Sequence, residues 1–423
     1  MSSQVISALE SSPLATSIAK ASGENIDEYV FGLAEKSPLQ APLYSKTTPD
    51  STYTFGNSNM RFSLPRFGHV RGSAFVELEI TVKYDASTAL QYSYGGINAL
   101  WKSARLESSS GREIARLLPE NVMWYMSQLP TAERDVVHAL THMYPATEIP
   151  APTASDGDPH GLRASSGGKF KGYIYLPFAA FQYKETTPDL NFIEGLSLVV
   201  EMQTSEAAWL LNNAVSLAVT NPTLLMGFTQ FGNQQLKAIT ARNYKVGSVL
   251  TIPTHEDENL AKKTLDVSSE SDITGTVSTD IEIDSNGLFS KFVIVAKYMN
   301  NGICKGLCNI ESAKLTCAGS EIIPEINPNV ISLMNHSGYS SGDSNTTSLN
   351  DEIFCLPFTQ SKLRHSLDSG ISMRNLPTCT LTLKIKPISV DSGDSILVVV
   401  NGCRVKSVSY SASSGRANTA LNI

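Results

Sequence analysis

Ile80-Thr81-Val82-Lys83-Tyr84 and Ile294-Val295-Ala296-Lys297-Tyr298 are two versions of one pentapeptide, 214 residues apart in a chain of 423. Two further pairs follow in the same order. Ser103-Ala104-Arg105-Leu106, then Gly111, Glu113 and Ile114, is echoed 209 residues on by Ser312-Ala313-Lys314-Leu315, then Gly319, Glu321 and Ile322. Leu176-Pro177-Phe178 leads to the strand-like Leu196-Ser197-Leu198-Val199-Val200, and Leu356-Pro357-Phe358, offset by 180, leads to Leu381-Thr382-Leu383-Lys384-Ile385. Three pairs in one order argue for two tandem copies of a domain, and the period is too long for a solenoid or a propeller blade. The chain length suits two domains.

Around these anchors the apolar residues alternate. Val76, Leu78, Ile80 and Val82 fall on one face of a strand, and Glu77, Glu79 and Thr81 on the other. Similar segments stand at 173–176, 196–202, 215–219, 281–283, 292–296, 380–385 and 396–400, separated by turn-forming clusters such as Asp284-Ser285-Asn286-Gly287 and Asp391-Ser392-Gly393-Asp394. Each half reads as a β-sandwich, and the matched anchors imply a shared topology. The uncharged stretch Ala207–Leu236 is broken by Asn212, Asn213, Asn221 and Pro222, so it predicts two buried strands and a turn rather than a membrane helix.

The halves differ behind the second anchor. From Ser103 to Leu176 is 73 residues and from Ser312 to Leu356 only 44, which places an insertion of 29 residues in the first half. Pro119–Tyr144 is its expected content: Pro119 suits a first helical turn, Val122, Met123 and Met126 share a face, and Pro130-Thr131 restarts a helix carrying Val136, Val137 and Leu140. These helices are expected to cap or extend the first sandwich. The Pro-, Ser- and Gly-rich stretch 145–168 and its counterpart 327–351, which holds the sequons Asn335-His336-Ser337 and Asn345-Thr346-Thr347, read as long surface loops. Ahead of the first sandwich, Asn25 and Glu28 mark a capped helix whose Ile26, Tyr29, Val30 and Leu33 form one apolar stripe. The expected division is an arm at 1–40, a first domain at 41–235 and a second at 236–423.

Charge and composition narrow the function. The net charge is −7 and the longest basic cluster is Lys262-Lys263, which disfavours a nucleic-acid grip through phosphate neutralisation. No secretory signal opens the sequence. All six cysteines, Cys304, Cys308, Cys317, Cys355, Cys379 and Cys403, fall in the second half without zinc-ribbon spacing, so buried free thiols are expected. The seven histidines form no His-x-His; His138 and His142, four apart on a predicted helix, lack the intervening Glu of a zincin. Glu77 and Glu79 read as a solvated or interface-facing edge rather than an acid/base pair. No catalytic, metal or cofactor site is expected.

The segment Gly95-Gly96-Ile97-Asn98-Ala99-Leu100 leading through Ser103–Leu106 to Gly111, the helical insertion, the Leu-Pro-Phe strands, and Phe354-Cys355-Leu356-Pro357-Phe358 followed by Ser369-Gly370, Ser372 and Asn375-Leu376 resemble the double jelly-roll major capsid proteins. That lineage runs from adenoviruses and tectiviruses to large DNA viruses, virophages and polinton-like viruses. The resemblance implies an all-β chain of two tandem eight-stranded jelly rolls with a helical insertion in the first and a short helical N-terminal arm. It implies no enzyme and no cofactor, but a structural protein of the virion, assembled inside the host cell. Its implied partners are two further copies in a pseudo-hexagonal homotrimer, neighbouring capsomers, penton and minor capsid proteins, and an internal membrane or accessory protein at the arm. The competing expectation is a duplicated β-sandwich that binds carbohydrate or acts on glycosides. That function would need aromatics converging on a groove, and Trp101, Trp124 and Trp209 are the only tryptophans.

Overall fold

The structure is a computed structural model that describes residues 40–56, 59–84, 95–143, 168–182, 190, 195–204, 214–231, 249–266, 275–300, 303–327, 330, 353–358, 370–376, 378–386, 394–411 and 416–420. The arm with its stripe, the bulk of both long loops, both sequons and Trp209 lie outside them.

The first half contributes β1 (Gln40–Thr47), β2 (Met60–Ser63), β3 (His69–Tyr84), β4 (Trp101–Glu107), β5 (Glu113–Leu117), α1 (Pro119–Ser127), α2 (Thr131–Thr141), β6 (Gly168–Leu176), the single turn α3 (Ala179–Gln182), β7 (Ser197–Met202) and β8 (Ala214–Phe231). The second contributes β9 (Val249–Asp266), β10 (Val277–Ile283), β11 (Leu288–Asn300), β12 (Ile303–Leu307), β13 (Asn309–Cys317), β14 (Ser320–Ile326), β15 (Ile353–Pro357), β16 (Ile371–Ser372), β17 (Cys379–Lys386), β18 (Ser395–Ser411) and β19 (Arg416–Ala420). Among the described residues no helix is long and apolar enough to cross a membrane.

Strand order exposes the duplication. One sheet of the first half runs β1-β8-β3-β6; in the second, β9-β18-β11 continues to β15, which pairs with β11. The facing sheets run β5-β4-β7-β2 and, in matching order, β14-β13-β17-β10. Eight strands of one half thus have eight counterparts, in the interleaved order of a jelly roll. Tyr84 and Tyr298 lie on the equivalent β3 and β11, Leu106 and Leu315 on β4 and β13, and Pro177 and Pro357 at the ends of β6 and β15. Even an irregularity repeats. The β4–β5 register shifts between Leu106 and Glu107, leaving Ile114 as the extra residue, and the β13–β14 register shifts between Leu315 and Thr316, leaving Ile322.

The equivalent strands β3 and β11 are patterned differently. In β3, Val76, Leu78 and Ile80 are buried, while Glu77 and Glu79 face outward and meet Lys171 at 2.9 Å and Lys169 at 2.7 Å across the β3–β6 pair. These cross-strand ion pairs, with the Tyr173 hydroxyl donating to Glu77, hold both carboxyls below the usual range. Each glutamate has its own cation, which makes them a surface ladder. In β11, by contrast, Phe292 through Ala296 are buried without interruption, the mark of a strand covered on both faces.

The second cover comes from the insertion. Both expected helices form, with Pro119 at the first position of α1 and Pro130 capping α2. They do more than cap the first roll: α1 touches β11 and β15 of the second. The first hydrophobic core, with Val122, Met123 and Met126 of α1, accordingly takes in Val293, Val295, Leu307 and Ile353 from the second half. Two sandwiches of this length could each bury a core of their own, and separate cores are the expectation that the duplication carries; they are not what forms. Only the second roll has a core of its own, on the other face of β11 around Phe292, Ile294, Leu315 and Leu383. Val136 of α2 stands 58% exposed, on the solvent side of the helix that Val137 anchors.

Two other expectations need correction. Residues 214–231 form the one strand β8 instead of two strands and a turn. Asn221, at φ +49°, and Pro222 fall where the β3–β8 register shifts between Glu77 and Glu79. The bulge absorbs a positive φ that Asn tolerates and a Pro that donates no hydrogen bond, so the strand continues. Cys317 and Cys379 are not free: they sit opposite one another in the β13–β17 pair and are joined as a disulfide. The register places them face to face, which their sequence separation of 62 residues does not reveal. Cys304, Cys308, Cys355 and Cys403 are thiols, outside any disulfide among the described residues.

Candidate functional site: the seam between the two rolls

The side chains that bring the halves together come from α1 on one side and from β9, β11 and β18 on the other. Lys291, Val293, Val295 and Lys297 project from the same face of β11 by the period of a strand. The two valines are fully buried, and full burial is worth roughly 1.5–3 kcal/mol for a side chain of that size. The flanking lysines are each met by α1. Lys297 Nζ lies 2.5 Å from Glu120 Oε1 in the first turn of α1, and Asn401 Nδ2 of β18 donates to the other carboxylate oxygen at 3.3 Å. Asn401 is held in turn by Asn259 Nδ2 at 2.8 Å. Burial alone would raise the Glu120 carboxyl, but Lys297, the helix backbone and Asn401 together outweigh it and the net displacement is downward.

At the other end, Lys291 Nζ stands 4.0 Å from the ring centroid of Trp124 and 4.8 Å from that of Tyr125. A cation shielded from water over two aromatic faces is stabilised by the ring quadrupoles. Beside it, Asp257 of β9 reaches the start of α1, where the Leu118 N–H donates to Oδ2 at 3.0 Å. No side chain of α1 itself caps that end. A carboxylate from the second roll thus accepts from the N-cap N–H, the part that the Glu or Gln of a local capping box normally plays. The Cys403 thiol donates to Asp257 Oδ1 at 3.2 Å and accepts from Asn121 Nδ2 at 3.4 Å, with the Tyr125 hydroxyl 3.7 Å away.

Burial pushes the Asp257 carboxyl up from 3.8 to about 6, against the lowering influence of the Leu118 N–H, Cys403, Asn121 and Lys291. The folded value lies above the unfolded one, so Asp257 contributes stability that is fully present below pH 3.8 and lost as pH rises through 6. The difference corresponds to roughly 3 kcal/mol. Asp257→Asn keeps an acceptor for Leu118 and removes the ionisation. We expect urea unfolding of the variant to lack this loss between pH 4 and pH 7 and to exceed the wild type in midpoint at pH 7.5. An unchanged pH profile would place the Asp257 titration elsewhere.

The residues weighed from sequence as chemical candidates are not gathered here. His142 ends α2 in a left-handed conformation at φ +51°, and its Nε2 lies 3.0 Å from the Lys171 carbonyl. His138 stays within α2, and burial pushes its imidazole down to about 4. Among the described residues no three His, Cys, Asp or Glu side chains group in a metal-holding arrangement. Trp101 is fully buried, its Nε1–H donating to Asn98 Oδ1 at 3.3 Å, and Trp124 belongs to the seam. Neither offers a face on which a sugar could stack. Of the seam residues, the sequence marks Cys403 as a buried thiol, Trp124 as one of three tryptophans, and Val295 and Lys297 as part of a repeated anchor, none of them as a partner of the other half. The one available signal for the rest was the unbroken apolar run between Lys291 and Lys297, where the equivalent stretch of β3 alternates.

No family model matches the sequence, and no curated protein matches it. Solved structures do. The chain is similar to a PBCV-1 virus capsid structure, with a TM-score of 0.62 at 10% identity over 92% of this chain and 98% of that one. It is similar to the mavirus major capsid protein, with a TM-score of 0.59 at 10% identity over 89% and 90%. It is similar to the Faustovirus major capsid protein, with a TM-score of 0.55 at 8% identity over 96% and 98%. Nearly whole chains superpose at these identities, and what they share is the fold.

Proposed function

We propose that this chain is a major capsid protein: a non-enzymatic building block whose homotrimers tile the icosahedral shell of a virus, and whose place is therefore the virion. The observation that carries this reading is the pair of equivalent jelly rolls locked by a buried seam. A block of two similar, rigidly joined units presents two similar edges. Three such blocks about a threefold axis present six, which lets a closed trimer fill a hexagonal lattice. The proteins whose fold it shares over nearly their whole length are capsid proteins by description. The carbohydrate alternative loses its support with the burial of Trp101 and Trp124.

The finer parts of the proposal are the division into an arm at 1–40, a first roll at 41–235 and a second at 236–423, and contacts with neighbouring capsomers. We include among them penton and minor capsid proteins, and an accessory protein or internal membrane at the stripe Ile26, Tyr29, Val30 and Leu33. Size-exclusion chromatography with light scattering tests the central claim: a stable species of about 137 kDa, three times the chain mass of 45.7 kDa, is expected. A monomer at micromolar concentration that binds a glycan array would overturn it.

A further inference from the structure

The two rolls of one chain meet along strand edges as well as through the seam. β5, the last strand of its sheet in the first roll, lies parallel to β9, the first strand of the β9-β18-β11 sheet, through the pair Arg116–Glu256. That junction fuses a sheet from each roll into one of eleven strands. The strand equivalent to β5 in the second roll is β14, and the strand equivalent to β9 in the first is β1. Among the described residues, each of these has one neighbour only, β14 beside β13 and β1 beside β8. The chain therefore carries one made junction and the two unmade halves of another of the same kind.

Resting on the trimer reading above, we infer that β14 of each copy lies parallel along β1 of the next, so that the junction within the chain recurs between chains and closes the ring. Two observations support it. Ile114 and Ile322 are the equivalent bulged residues of β5 and β14, yet Ile114 is 2% exposed and Ile322 43% exposed. What the first roll covers at this position, the second leaves bare. On the receiving edge, Tyr44 of β1 is 84% exposed, the largest exposure among the described large apolar side chains. An unpaired edge strand is a ready template for another chain, and a head-to-tail contact of this sort gives a ring only when its rotation closes.

The register gives the test its positions. Arg105 is opposite Arg116, and its equivalent Lys314 falls opposite the Pro324–Glu325 irregularity of β14, so Glu325 stands near Arg116's place. Counting along β3 sets Lys46 at the place of Glu256, and counting along β8, with its extra residue, sets Thr47 there. We would make Glu325→Cys together with Lys46→Cys, and separately with Thr47→Cys, oxidise the purified full-length protein and run it without reductant, with each single variant as control. Parallel neighbours at this spacing lie within disulfide reach. The expected result is a ladder of covalent dimer and trimer in at least one double variant and no trimer band in the singles. Ile322→Asp, a change at a side chain already exposed in the folded chain, should raise the trimer dissociation concentration at least tenfold while the circular dichroism stays unchanged.

A trimer by light scattering that neither double variant cross-links, and that Ile322→Asp leaves intact, would overturn the edge assignment and leave the capsid reading standing. A β1 edge filled by the chain's own residues 1–39 would give that outcome. A protein that is monomeric before any substitution would overturn both.

Discussion

Lys297→Ala is expected to cost about 3–5 kcal/mol, because it removes one partner of a buried ion pair and strands the other. Lys297 and Glu120 are only 21% and 13% exposed at the side chain. Burial pulls the Lys297 ammonium down, and Glu120 more than restores it, so that its net displacement is upward. Without Lys297 the Glu120 carboxylate keeps the Asn401 amide and the positive end of α1, which soften the loss but do not replace a full charge. The double variant Lys297→Met with Glu120→Leu should recover much of the loss, since apolar residues of similar volume often substitute for a buried pair at little cost. Urea unfolding of the four members of this cycle at fixed protein concentration measures it. A single-variant loss below about 1 kcal/mol would mean that the pair behaves as a surface bridge and that the seam is wet.

Gly96→Ala should be comparably severe, at about 3 kcal/mol or more, for a backbone reason. Gly95 and Gly96 open the short 3-10 turn Gly96–Leu100 at φ +100° and +57°. A Cβ at Gly96 would stand 2.2 Å from the His142 carbonyl oxygen and 2.6 Å from that of Thr141, the end of α2. The left-handed conformation costs a non-glycine residue roughly 1–2 kcal/mol, and displacing packed backbone about 1–3 more. Gly111→Ala is the control: its φ is +75° but nothing lies within 4 Å of the added carbon, so only the conformational part is lost. Equal thermal shifts in the two variants would show that α2 moves aside without cost.

Sequence periodicity reaches as far as local rules extend. The alternation in Val76–Val82 dictated a strand with one wet face, and the prolines at 119 and 130 marked two helix starts, because both depend on the nearest few residues. The repeated anchors carried the architecture further, since a duplicated pattern implies a duplicated topology whatever the intervening loops. The same local logic misread 214–231. Asn221 and Pro222 are turn residues in isolation, and pairing with β3 and β1 converts them into a bulge within a strand.

The disulfide and the seam lay beyond those rules. Cys317 meets Cys379, Asp257 caps a helix 139 residues earlier in the chain, and Lys291 finds Trp124, each through strand register and sheet packing set by the whole chain. β9 itself, with Glu256-Asp257-Glu258 in its middle, has no apolar alternation there, and is a strand because β18 pairs along its length. Two tandem β-sandwiches could be inferred from the chain's own repetition and strand patterning. That the insertion of one becomes the second face of the other followed from where α1 could bury its apolar and charged side chains, a free energy that exists only once both rolls are formed.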